Sequence, residues 1–207
     1  MLVIDNIVHL VADYIPEEGR RRIREAYEFA SQVHEGRKRD SGEAYISHPL
    51  EVAHILASMR LDANTIVAGL LHSVLKEQPP ADEKEVARRF GEDVLNLVKG
   101  TTKITNVRYA SREAHQAGNV RKLLLAMAAD VRVILIRLAD RLHDMQTLEH
   151  SPRERQLEVA RETMDLYAPL AGRLGIDWMK RELEDLGFRY LYPEEYAEIS
   201  SQIESSM

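Results

Sequence analysis

The stretch "AGLLHSVLKEQPP", residues 68–80, decides how the rest of the chain is read. Ile66 and Val67 just before it, and Leu70, Leu71, Val74 and Leu75 within it, leave almost no polar face. Such a segment predicts a helix enclosed by other helices rather than one lying on a surface, with Asp62 in place to cap its start. His72 sits among these apolar residues, where an imidazole is either a hydrogen-bonded core group or a metal ligand. The residue after it is Ser73, so the neighbour that could supply an anionic oxygen does not.

Outward from this stretch the pattern is helical. Pro16 with Glu17 and Glu18 suits a first turn, and Ile23, Ala26, Tyr27 and Ala30 then recur at i, i+3, i+4 and i+7 until Gly36 closes the pattern. Val52, Ile55, Leu56 and Met59 repeat the spacing, as do Val120, Leu123, Leu124 and Met127. Asp82 with Glu85, and Ser151 with Glu154 around Pro152, match capping boxes that open two further helices. The run Val131–Leu138 alternates as a strand would, but its apolar pattern continues through Leu142 and Met145, and we read it as helix. Residues Gly100 to Gln116 lack clear periodicity and are expected to form a mobile loop. The fold class expected is all-α.

Composition narrows the function classes. With 44% hydrophobic and 30% charged residues, and no apolar run of bilayer-spanning length, the 207-residue chain reads as a soluble globular protein with one main core. It has no cysteine and no leader pattern, so a cytoplasmic location is expected. The net charge of −6 argues against a general electrostatic grip on DNA. The basic runs Gly19–Arg24 and Gly36–Arg39 remain, and the first is read as a solvated helix face.

Three polar residues lie inside apolar patterns: His48 beside Pro49, His72, and Asp140 in "RLADRLHDM". Two imidazoles and a carboxylate form a set that suits a divalent transition ion, although a lone histidine in an apolar helix is more often a hydrogen-bonded core group.

The segments "HEGRKRDSGEAYISHP" (34–49), "AGLLHSVLKE" (68–77), "RLADRLHDMQTL" (137–148) and "YAPLAGRLGIDWMKRELEDLGFRYL" (167–191) together resemble the HD-type hydrolase region of the RelA/SpoT enzymes. The resemblance implies an HD-domain-like helical bundle and metabolism of the alarmones ppGpp and pppGpp. In that family an Mn ion is held by a His, a His-Asp pair and a later Asp, and the domain removes the 3′-pyrophosphate. The organisation implied is an HD-type hydrolase or pseudohydrolase domain over residues 1–175. Residues 176–207 would begin the connection to a synthetase domain of the same longer chain.

Carried over by position, the resemblance makes His48, His72 and Asp140 metal ligands and puts Ser73 at the place of the paired aspartate. Lys76 and Glu77 stand where the family has a Glu-Asp pair whose glutamate assists the attacking water, a role that an ammonium cannot fill. Arg39 is expected to stack on guanine, with Ser41, Tyr45 and Thr147 retained around it. Asp144, Gln146 and Asp40 depart from the family pattern on the nucleotide side. The expectation is therefore a regulatory or structural pseudohydrolase with Mn weakly held or absent, partnered by its synthetase domain and without DNA or membrane. Two alternatives stand beside it: a guanine-nucleotide sensor that does not hydrolyse, and an active enzyme rerouted through Glu77, one helical turn beyond Ser73.

Overall fold

The computed structural model describes residues 2–76, 80–105 and 130–205, and it is helical almost throughout. The elements are α1 (Ile4–Leu10), α2 (Glu17–Val33), α3 (Ser47–Ser58), α4 (Ala63–Leu71), α5 (Glu83–Phe90), α6 (Glu92–Thr105), α7 (Val131–Gln146), α8 (Arg153–Glu162), α9 (Ala168–Arg173), α10 (Asp177–Leu191) and α11 (Pro193–Ser205). Among the described residues there is no strand, only an isolated antiparallel bridge between Lys38 and Ala44. No helix there is long and apolar enough to cross a membrane. The chain divides into two compact units, Met1–Asp140 and Arg141–Met207.

In the first unit α4 is the central element. It packs on α2, α3 and α6, and every residue from Thr65 to Leu71 is buried, as its unbroken apolar sequence requires. Complete burial of side chains such as Ile66, Leu70 and Leu71 contributes about 1.5–3 kcal/mol each. Gly69 permits the close crossing of α3, since a Cβ there would lie 2.5 Å from Leu56 Cδ1. Phe29 of α2 meets Phe90 of α5 edge to face, with ring centroids 5.7 Å apart. Asp62 caps α4 by accepting from the amides of Asn64 at 3.0 Å and Thr65 at 3.2 Å. Asp82 accepts from the Lys84 amide in the same way at α5.

The expected helix through His72 to Glu77 is shorter than its sequence suggests. α4 stops at Leu71, and Val74–Lys76 form a separate tight turn. The reason is local: His72 Nδ1 donates to the Gly69 carbonyl at 2.8 Å, the acceptor that the next amide would use if the helix continued. The Lys76 amide instead closes on the Ser73 carbonyl at 2.9 Å. Glu77 lies outside the described residues, as does the expected helix around Val120–Met127.

Two other expectations change. Gly100–Thr105 belong to α6 rather than to a loop, because Gly100 lets Val133 pack closely and the Thr101 and Thr102 hydroxyls both donate to the Val98 carbonyl. The remainder of that loop, from residue 106 to 116, lies outside the described residues. The Ser151 side chain makes no cap on α8. Gln156 reaches back instead and donates to the Ser151 carbonyl at 2.9 Å. The stretch from Val131 is helical as expected, and Asp130 starts it by accepting from the Arg132 amide at 2.9 Å.

The arginines of the first basic run have partners within the chain. Arg20 pairs with Glu17 and Arg24 with Asp5, while Arg22 donates to Asn64 at 2.8 Å and to the Phe90 carbonyl at 2.7 Å. In the second unit Arg141 is buried, pairs with Glu162 at 2.6 Å and lies 4.2 Å from the centre of the Tyr167 ring. Leu170 and Leu183 are buried there as well, while Leu174 and Leu186 are half-buried. Because Asp62 satisfies two amides at the head of the central helix, Asp62→Ala should lower the free energy of unfolding by about 1–2 kcal/mol. Urea denaturation measures this, and an unchanged midpoint would contradict the capping role.

Candidate functional site

Three helix ends and faces bring the site together in the first unit. His48 enters from the first turn of α3, where Pro49 follows it in a position that lacks the amide a helix start does not need. His72 comes from the end of α4, and Asp140 from the middle of α7. The three are 3%, 2% and 6% exposed, and one ligand atom from each lies within 4.8 Å of the others. His48 Nε2 donates to Asp140 Oδ1 at 3.0 Å, and His72 Nε2 faces the same oxygen at 3.5 Å.

The electrostatics follow from burial. Burial pushes the His72 pKa down, and the nearby His48 and Lys76 add to this against the opposing pull of Asp140. Burial alone would raise Asp140, but the adjoining His72, the Arg137 guanidinium and the imidazole hydrogen bonds hold its carboxyl well below the usual range. With its Nδ1–H committed to the Gly69 carbonyl, a neutral His72 presents the Nε2 lone pair to a carboxylate oxygen. Two electron-rich atoms facing each other are what a cation between them would stabilise, so the donor types are those a divalent transition ion takes.

Two residues that the sequence reading did not single out complete the surroundings. Arg137, one turn before Asp140, donates to its Oδ2 at 2.5 Å. His34, the first residue of the 34–49 motif, is buried and lies 3.0 Å from the Ser73 hydroxyl. The Ser73 side chain, 2% exposed, is thus engaged with His34. Helical spacing to Asp140 could have pointed to Arg137; nothing in periodicity marks His34, because it falls just past the end of α2.

The loop after α2 carries the expected nucleotide residues. The Arg39 amide donates to the Glu43 carbonyl and the Tyr45 amide to the Arg37 carbonyl, both at 2.9 Å, around Gly42 in the left-handed region. Tyr45 lies between His34 and His48, its ring centroid 4.6 Å from the first and 6.2 Å from the second. Arg39 and Ser41 are half-buried and Asp40 is exposed. Lys76 is half-buried and close enough to depress the His72 pKa. Asp144, Gln146 and Thr147 belong to the second unit, where the Thr147 hydroxyl donates to the His143 carbonyl at 2.9 Å.

His34 gives this site a pH signature. Burial, and then the charges of His72 and Arg37, lower its pKa from 6.5 to about 4, so it stays neutral in the folded chain. Below about pH 6.5 the unfolded chain takes up a proton that the folded one does not, and stability is lost as pH falls toward about 4. His34→Gln should remove up to about 2 kcal/mol of the stability difference between pH 7 and pH 5. Denaturant melts at the two pH values check this, and an unchanged difference would contradict it.

Known proteins share both sequence and fold with this chain. A family model described as HD domain matches residues 26–177. A GTP pyrophosphokinase of Myxococcus xanthus is 47% identical over 196 residues, which cover 93% of this chain and 26% of that protein. The bifunctional (p)ppGpp synthase/hydrolase SpoT of Escherichia coli K12 is 44% identical over 206 residues, 100% of this chain and 29% of that protein. The chain therefore spans under a third of the length of these curated relatives. A solved structure from a metazoan, described as a SpoT ortholog that hydrolyses ppGpp, superposes with a TM-score of 0.58 at 22% identity over 81% of this chain and 94% of its own. With the family model covering most of the sequence and these relatives matching nearly all of it, the chain belongs to the HD domain family and is an HD domain of the RelA/SpoT type.

Proposed function

We propose that this chain is the HD domain of a longer cytoplasmic (p)ppGpp-metabolising protein in which hydrolysis has been lost, and that it acts as a regulatory or structural partner of that protein's synthetase domain. The observation that supports this most is position 73. The residue beside the ligand His72 is a buried serine whose hydroxyl is hydrogen-bonded to His34, so the cluster holds one carboxylate, Asp140. Lys76 adds positive charge near His72 and has no lone pair to offer a water while it is protonated.

His48, His72 and Asp140 would be the ligands of any divalent ion, such as Mn, that entered the site, and such an ion would supply Lewis-acid activation of a phosphate oxygen or a water. The chain's own part would be to orient that ion's ligands. Gly69 fixes the His72 tautomer, and Arg137 and His48 fix the two oxygens of Asp140. No group among the described residues at positions 73 and 76 is suited to take a proton from an attacking water.

A second reading rests on the Arg37–Tyr45 loop, which is held in shape by backbone hydrogen bonds and carries Arg39 and Ser41. That support favours a pocket that still binds a guanine nucleotide without cleaving it, as a sensor would. Calorimetry with ppGpp separates this from a purely structural role, since binding lost in Arg39→Ala supports the sensor and absence of binding rejects it.

Incubated with ppGpp and Mn, the purified chain should release no pyrophosphate above a metal-free control, because loss of a general base alone costs about a hundredfold to ten-thousandfold in rate. Robust release would overturn the pseudohydrolase reading. Ser73→Asp should restore metal binding, since a carboxylate there would lie beside His72 and gain His34 as a supporting partner. Hydrolysis should return only with Lys76→Glu and Glu77→Asp added, and the three effects should be strongly non-additive. Full turnover by Ser73→Asp alone would show that Lys76 is not disabling.

A further inference from the structure

The polar groups around Asp140 satisfy its charge from within the chain. Its Oδ2 accepts from the Arg137 guanidinium at 2.5 Å, and its Oδ1 accepts from His48 at 3.0 Å. Both partners are buried, Arg137 at 7% exposure. The Asp140 carboxylate and the Arg137 guanidinium, paired at 2.5 Å, sum to zero. A divalent ion added to this cluster would bring two uncompensated positive charges into a buried space, with Lys76 nearby on the same unit. Desolvating an uncompensated buried ion is strongly unfavourable, so this charge count weighs against occupancy. A carboxylate at position 73 would reduce the excess by one; Ser73 does not.

We propose that Arg137 is the resident cation of this site: its guanidinium stands in for the charge of a metal opposite Asp140, so that the His48, His72 and Asp140 cluster is held together without an ion and resists divalent cations. The inference rests on reading these three residues as a ligand set and deepens it by naming what controls their affinity. The competing role has the opposite sign. A guanidinium that merely oriented a ligating carboxylate would strengthen metal binding, as outer hydrogen-bond partners of ligands generally do.

The test compares the wild-type chain with Arg137→Gln by calorimetric titration with MnCl2 and by thermal melts with and without it. Arg137→Gln should bind Mn at least about tenfold tighter than wild type. Its melting temperature should fall without metal, because a buried carboxylate has lost its partner, and should rise again with Mn. The wild-type melting temperature should respond little to Mn, and Arg137→Lys, which keeps the positive charge, should behave like wild type. Equal or weaker Mn binding by Arg137→Gln would overturn the proposal and assign Arg137 an orienting role. If Arg137→Gln aggregates when metal-free, refolding it with and without MnCl2 reads the same property: recovery only with Mn supports the proposal, and no recovery in either overturns it. These outcomes concern affinity alone, whereas ppGpp hydrolysis by the wild-type chain would overturn the pseudohydrolase reading instead.

Discussion

A single buried carboxylate organises the first unit. Asp140 cannot hold a negative charge among apolar helices unless each oxygen is met by a donor, and the chain meets both, with Arg137 on one side and His48 on the other. That requirement ties α7 to the first turn of α3 and, through His72, to the end of α4. The central helix is in turn held by α2, α3 and α6 and capped by Asp62, so the positions of the three side chains follow from packing that is almost wholly apolar. The scaffold of the site is therefore built by helix packing rather than by the polar cluster itself.

This separation of packing from chemistry explains how an HD domain can keep its fold while its reactive groups change. Residues 73 and 76 lie in the tight turn after α4 and contribute little to the core that α4 itself builds. A serine in place of an acid at position 73 costs no packing, because its hydroxyl is satisfied by His34. The same substitution removes half of the negative charge that a two-carboxylate site would present to a divalent ion. Arg137 pairs with the carboxylate that remains.

Much of the helical order was legible in the sequence. α2, α3 and α4 follow from apolar spacing with Asp62 or Pro16 at their starts, and the segment from Val131 reads correctly as helix once its pattern is followed past Leu138. The convergence of His48, His72 and Asp140 could be named from residue type and motif, since polar groups inside apolar helices must meet partners. What spacing could not give was the end of α4. That end is set by a side chain, His72, competing for a backbone acceptor. Periodicity is blind to such competition, and Glu77, expected to share a face with Ser73, lies outside the described residues. His34 escaped for a similar reason, because a residue past a helix end carries no phase that relates it to α4. The expected Ser151 cap is not made because α8 begins one residue later than the capping box requires, with Pro152 at the cap position and no hydroxyl to offer.

Native mass spectrometry of the wild-type chain after exchange into a volatile buffer containing Mn tests most directly whether this site has given up its metal. A self-neutralised cluster predicts the mass of the bare polypeptide, with no ion retained in stoichiometric amount. One Mn per chain, lost on replacing His48 or His72, would contradict that and return the site to the metal-dependent hydrolases of its family.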